Sequence, residues 1–110
     1  PKQYLINKDS ILEMEKTGMI PGVKRDAHYE ERSLPFLKSD KILLFTDGFF
    51  EEFNMKEIEY GELNLFKMIK KNKKRNIRLL IEKCFDDLKA FLKDQPFGDD
   101  VTVIGIERVS

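Results

Sequence analysis

At 110 residues the chain has the size of one domain, and 20 Lys plus Arg balance 20 Asp plus Glu to a formal net charge of zero. That balance removes the general electrostatic argument for binding nucleic acid or an anionic membrane, and 41% hydrophobic residues with nine Phe exclude a disordered chain. The longest unbroken aliphatic-aromatic run, Ile42 to Phe45, is far short of the about 18 residues that a membrane span needs, and the single cysteine, Cys84, excludes an internal disulfide and any multi-cysteine metal site. One free cysteine fits a reducing, cytoplasmic setting.

In chain order, Gln3 to Ile6 and Ile11 to Glu15 are short apolar runs around the polar cluster Asn7-Lys8-Asp9-Ser10, which predicts a β-hairpin. Gly18, Pro21 and Gly22 punctuate a loop. The segment from His28 to Phe36 reads as an exposed edge strand, with Pro35 near its end. Ile42-Leu43-Leu44-Phe45-Thr46 shows no alternation, so it predicts a strand buried on both faces, ended by Asp47-Gly48. Phe49 to Tyr60 mixes acids and apolar residues and fits a helix or a mobile flap equally. Gly61 to Asn72 predicts a helix whose apolar stripe is Leu63, Phe66 and Ile69, widened by Leu65 and Met68. Asn76 is an N-cap for a longer helix to Gln95, with Ile77, Leu80, Ile81, Cys84, Leu88, Phe91 and Leu92 at three-and-four spacing. Pro96 and Gly98 end it. Val101 to Ile106 is a last strand, with Val101, Val103 and Gly105 on one face and Thr102, Ile104 and Ile106 on the other. Strands, two helices and a strand make an α+β pattern of antiparallel strands rather than alternating β/α units.

Two short motifs carry the candidate chemistry. Thr46-Asp47-Gly48 sets a carboxylate at the carboxyl end of a buried strand, on a rigid element and beside a glycine that admits close backbone approach. Gly98-Asp99-Asp100-Val101-Thr102 sets two adjacent carboxylates at the amino end of another strand, where a cation would relieve their repulsion. Each motif alone is also an ordinary turn. Together, on antiparallel strands, they meet at one end of a sheet. Oxygen donors without Cys or His point to magnesium, manganese or calcium rather than zinc. His28, the only histidine, reads as a surface residue. Lys67 to Arg75 is basic, but without interleaved aromatics it reads as favourable charge at a helix C-terminus and a solvated loop, not a nucleic-acid site. Cys84 reads as a small core residue, and Glu51 and Glu52 as a solvated face.

The order and context of these motifs resemble a known family. The strings KSDKILLFTDGFFEEFN, EYGELNLFKMI and FGDDVTVIGIERV are similar to the C-terminal half of metal-dependent (PPM-type, protein phosphatase 2C-like) serine/threonine phosphatases, in the bacterial SpoIIE/RsbU-like subgroup. Upstream, Gly18, Pro21 and Gly22 loosely resemble the family's Gly-x-Pro-Leu-Gly loop, with one residue fewer between Pro and Gly. The resemblance covers essentially the whole chain, residues 1–110. It implies the C-terminal part of an α/β/β/α sandwich, antiparallel strands with two helices on one face. It implies that Asp47 is a ligand of a pair of Mn2+ or Mg2+ ions in the complete domain. Asp99 is then the second carboxylate ligand, with Asp100 as its rival, and Gly48, Thr46 and Thr102 are supporting positions.

The family's acidic Gly-Asp-x-x-Asp motif, which belongs to the N-terminal half, has no counterpart in these residues. With the missing initial Met, this reads as a fragment lacking part of the metal site and inactive alone. By resemblance, the parent hydrolyses phosphoserine or phosphothreonine on a regulatory protein of the anti-sigma-factor-antagonist type, in bacterial partner-switching signalling. The competing expectation is a non-catalytic pseudo-phosphatase or protein-interaction fragment, whose unpaired sheet face invites homodimerisation.

Overall fold

The protein's structure is a computed structural model that describes residues 2–14, 36–93 and 95–110. The loop expected at Gly18, Pro21 and Gly22 lies outside the described residues, as do His28 and the edge strand expected from it, apart from Phe36, which is in no strand.

Among the described residues four strands form one sheet: β1 (Lys2–Ile6), β2 (Ile11–Met14), β3 (Lys41–Phe45) and β4 (Val103–Glu107). Their spatial order is β2-β1-β3-β4, and every neighbouring pair is antiparallel. The predicted hairpin is the β1–β2 pair, closed by Asn7, whose Oδ1 accepts from the Ser10 amide at 2.7 Å and the Asp9 amide at 2.9 Å. β3 is central, hydrogen-bonded on both edges, and four of its five residues are buried. The absence of alternation in its sequence follows from that position.

Three helices lie with this sheet. α1 (Asp47–Phe50) is a single turn, α2 (Gly61–Asn72) and α3 (Ile77–Leu92) are longer. Asn76 caps α3 as expected, its Oδ1 accepting from the Leu79 amide at 2.9 Å. α3 stops at Leu92, short of the expected Gln95, because Lys93 takes a left-handed φ of 57°. Tyr4, Ile6, Leu43 and Phe45 from one sheet face join Leu65, Ile69, Leu80, Cys84, Leu88 and Leu92 from α2 and α3 in the main core. Five edge-on aromatic pairs run through it, and Phe49 takes part in three: with Phe45 at 5.0 Å, Phe85 at 5.1 Å and Tyr60 at 6.1 Å between ring centroids. On the other sheet face Leu5, Met14 and Ile42 form a second, smaller cluster, while Leu12, Ile104 and Ile106 on that face are about half exposed.

The stripe expected on α2 is corrected. Leu63 is 66% exposed, and the buried line is Leu65, Ile69 and Asn72 with Met68 beside it. The spacing from Leu65 through Ile69 to Asn72 is itself helical, so two overlapping stripes compete in the sequence and the packing against α3 selects one. Asn72 is buried with its needs met: its Nδ2 donates to the Met68 carbonyl at 2.8 Å and its Oδ1 accepts from Arg75 Nε at 2.9 Å. The ambiguous segment from Phe49 to Tyr60 resolves into the end of α1 and a tight loop. A bridge between Phe53 and Glu59 closes that loop, and Asn54 Oδ1 accepts from the amides of Lys56 and Ile58.

α3 lies close to β4 because Gly105 has no side chain. A Cβ there would stand 2.6 Å from Ile77 Cγ1 and 2.7 Å from Ile81 Cδ1. Gly105→Val is therefore expected to destabilise the fold by about 1–3 kcal/mol, measured by urea unfolding, by forcing α3 off the sheet.

The core also sets an alkaline limit. Burial pushes the Cys84 thiol up to about 12, with Asp87 adding to it, and burial pushes the Tyr4 phenol up to about 12. Burial also raises Tyr60, whose hydroxyl donates to Asp87 at 2.6 Å. In each case the folded state holds a proton that the unfolded chain releases at about pH 8.5–10. Stability is then undiminished at neutral pH and falls as pH rises from about 9 towards 12, with Cys84 unreactive to thiol reagents in the native state. A denaturation midpoint that stays level across that range contradicts this.

Candidate functional site

At the carboxyl end of β3 the backbone leaves the sheet to begin α1. The Thr46 carbonyl turns away to accept from the Phe49 amide at 3.0 Å, the first bond of the new turn. The Thr46 amide still donates to the Thr102 carbonyl at 3.1 Å, across to the chain just before β4. The Thr102 amide would lose its partner, but Thr46 Oγ1 accepts from it at 3.0 Å. A side-chain hydroxyl thus stands in for the departed carbonyl and extends the ladder by one rung. This places the residues after Phe45 opposite those before Val103, so that Asp47 and Asp99-Asp100 gather at one end of the sheet, as expected from two antiparallel strands.

Gly48 sets how closely they approach. A Cβ on Gly48 would collide with the Asp100 carbonyl oxygen and lie 3.7 Å from Asp99 Cβ. Only a residue without a side chain lets the first turn of α1 rest against this loop. Phe49 and Phe50 are buried immediately after it, so the Asp47 backbone hangs from the aromatic core.

Glu52 was missed by sequence reasoning. The residue is 6% exposed and not on a solvated face; its neighbour Glu51 is exposed as expected. Both Glu52 carboxylate oxygens lie 3.0 Å from the Gly98 amide nitrogen, which donates to them, and Oε1 also accepts from the Asp99 amide at 3.3 Å. The side chain ties the end of α1 to the loop that carries Asp99 through charge-assisted bonds. The Asp99 carboxylate in turn accepts from the Asp100 amide at 2.7 Å. Nothing in the pair Glu51-Glu52 distinguishes the two; only the turn of α1 does.

A cavity of about 320 Å³ lies at this end, lined among others by Gly48, Glu51, Glu52, Gln95, Gly98 and Asp99. Asp99 is among its lining residues, and Asp100 and Asp47 are not. The donor set is oxygen alone, suited to a hard divalent cation. Among the described residues no group of three or more acid, histidine or cysteine side chains converges, so these residues do not by themselves make up a metal site. Thr46 and Thr102 hold backbone and are not placed as ligands. Cys84 is fully buried in the core.

The family model for stage II sporulation protein E (SpoIIE) matches residues 1–109. This chain belongs to the SpoIIE family. Its fold is that of solved phosphatase domains. It superposes on the SiaA-PP2C domain of Pseudomonas aeruginosa with a TM-score of 0.73 at 18% identity, covering 99% of this chain and 43% of that one. It superposes on the phosphatase domain of SpoIIE from Bacillus subtilis, in a structure described as Mn presoaked, with a TM-score of 0.68 at 16% identity, covering 99% and 47%. The chain therefore spans less than half the length of either. No curated protein matches it.

Glu52→Ala is expected to cost about 1.5–3 kcal/mol, because it strips the acceptor from the Gly98 and Asp99 amides. Hydrogen exchange should speed most at those two amides, and slowed or unchanged exchange there would refute the tie. Gly48→Ala should destabilise by about 1–3 kcal/mol in the same assay, by pushing α1 off the Asp100 carbonyl.

Proposed function

We propose that residues 1–110 are the C-terminal portion of a metal-dependent protein serine/threonine phosphatase domain, and that Asp47 and Asp99 are ligands of its divalent ions. The observation that carries the reading is the close seating of α1 on the Asp99-Asp100 loop across Gly48, in a chain of the SpoIIE family. Manganese or magnesium fits the oxygen donors. When bound, a pair of such ions supplies a water acidic enough to act as a nucleophile and positive charge for the phosphoryl oxygens. The chain's own residues hold the carboxylates: Phe49 anchors Asp47 to the core, Thr46 and Thr102 fix the two strand ends, and Glu52 holds the Asp99 backbone. Asp99 is favoured over Asp100 by the family resemblance of its motif, and it lines the cavity. The remaining ligands are supplied by residues outside those described.

The substrate in this reading is a phosphoserine or phosphothreonine on a regulatory protein of the anti-sigma-factor-antagonist type, and the setting is cytoplasmic partner-switching signalling. No helix of the described residues is long and apolar enough to cross a membrane.

The test is manganese-dependent phosphate-ester hydrolysis by the full-length protein that carries this chain. Asp47→Ala and Asp99→Ala should each lower kcat by about 100-fold or more while leaving the unfolding midpoint near that of the parent. Asp100→Ala should lower it far less. Full activity in Asp47→Ala would remove the metal role, and no hydrolysis with manganese or magnesium by the unaltered protein would favour a pseudo-phosphatase that binds its partner without turnover.

A further inference from the structure

The opposite end of the sheet carries a second concave site. A cavity of about 480 Å³ opens where β3 begins, and five of the eight residues that line it are lysines: Lys8, Lys38, Lys41, Lys73 and Lys74. They come from three turns remote in sequence: the β1–β2 turn, the segment that leads into β3, and the connection from α2 to α3. The pairing of Ile6 and Glu107 with Lys41 puts these turns together at one end.

Each turn is held by its own bonds. Asn7 closes the first, as described. In the second, Ser39 takes a left-handed φ of 73°, its amide donates to the Arg108 carbonyl at 2.7 Å, and buried Asp40 accepts from the Leu37 amide at 2.9 Å. In the third, the buried Lys41 ammonium donates to the Lys73 carbonyl at 3.1 Å and lies 3.7 Å from Glu107 Oε1. Lys41 is thereby satisfied internally and fixes the backbone that bears Lys73 and Lys74. Among the described residues, Lys8, Lys38, Lys73 and Lys74 have no ion-pair partner. No apolar side chain lines the cavity; Asn7 and Ser39 add polar groups. Asp40 is its one acid, committed to the Leu37 amide.

Four lysines without an ion-pair partner among the described residues line one cavity, their like charges repel, and in a chain of zero net charge the cost is local. A ligand with several closely spaced negative charges relieves it, and a cavity of this size takes a small molecule rather than a flat macromolecular surface. Lysine serves here as a point-charge phosphate binder. We propose that this cavity binds a compact polyphosphate group of two or more phosphates, either free or as the tail of a nucleotide.

The proposal is independent of the phosphatase reading, since none of its residues belongs to the acid end. The experiment is calorimetric titration of the full-length protein with inorganic tripolyphosphate, and in parallel with ATP, in EDTA so that metal-borne binding at Asp47 and Asp99 is silent. Saturable one-to-one binding is expected. It should weaken at least about tenfold between 50 and 200 mM salt. It should also weaken at least about tenfold in Lys38→Ala/Lys73→Ala/Lys74→Ala, persist in Lys67→Ala/Lys70→Ala, and persist in Asp47→Ala. Equal affinity for the two ligands identifies the free polyphosphate group; tighter ATP binding identifies a nucleotide. No saturable binding, or binding undiminished in a folded triple variant, overturns it. So does binding of RNA or of an acidic peptide when tripolyphosphate does not bind.

Discussion

β3 is buried on both faces and paired on both edges, and the rest of the structure is arranged around that requirement. An interior strand offers no exposed side chain of its own, so its chemistry can appear only where it enters and leaves the sheet. At the leaving end Thr46 keeps the ladder intact with its hydroxyl while its carbonyl starts a helix. At the entering end Lys41 is buried and spends its charge on the Lys73 carbonyl and Glu107. The apolar residues between fix the distance separating the two ends, about 17 Å for five residues of antiparallel strand.

Phe49 converts this strand geometry into a placed carboxylate. Its ring meets Phe45 from the sheet, Phe85 from α3 and Tyr60 before α2. The Asp47 backbone, two residues earlier, is thereby attached to the sheet, to α3 and to the entry of α2 at once. A site built on such an element moves only if the core repacks, which is the condition that metal ligation imposes on its donors.

Much of this was legible in the sequence. The hairpin, the doubly buried strand, the Asn76 cap and the two faces of β4 follow from periodicity and turn chemistry, which act over a few residues. That the chain after β3 and the chain before β4 lie at one end of the sheet was legible because the two strands read as antiparallel neighbours. What escaped depends on contacts that no local pattern encodes. Leu63 and Leu65 are the same residue type on one helix, and only the position of α3 decides which is covered. Glu51 and Glu52 differ only in which way the end of α1 turns. The lysines escaped for a third reason: Lys73 and Lys74 sit in a basic run that reads as solvated, while Lys8, Lys38 and Lys41 are scattered, and pairing of the strands collects them.

The tie made by Glu52 has a mechanical consequence for the acid end. It spans from the second residue after α1 to the chain that follows α3, so it closes a covalent path of more than forty residues with one carboxylate. The loop that bears Asp99 and the chain that leaves α1 are therefore held to each other by one side chain, and a change that releases Glu52 frees both at once.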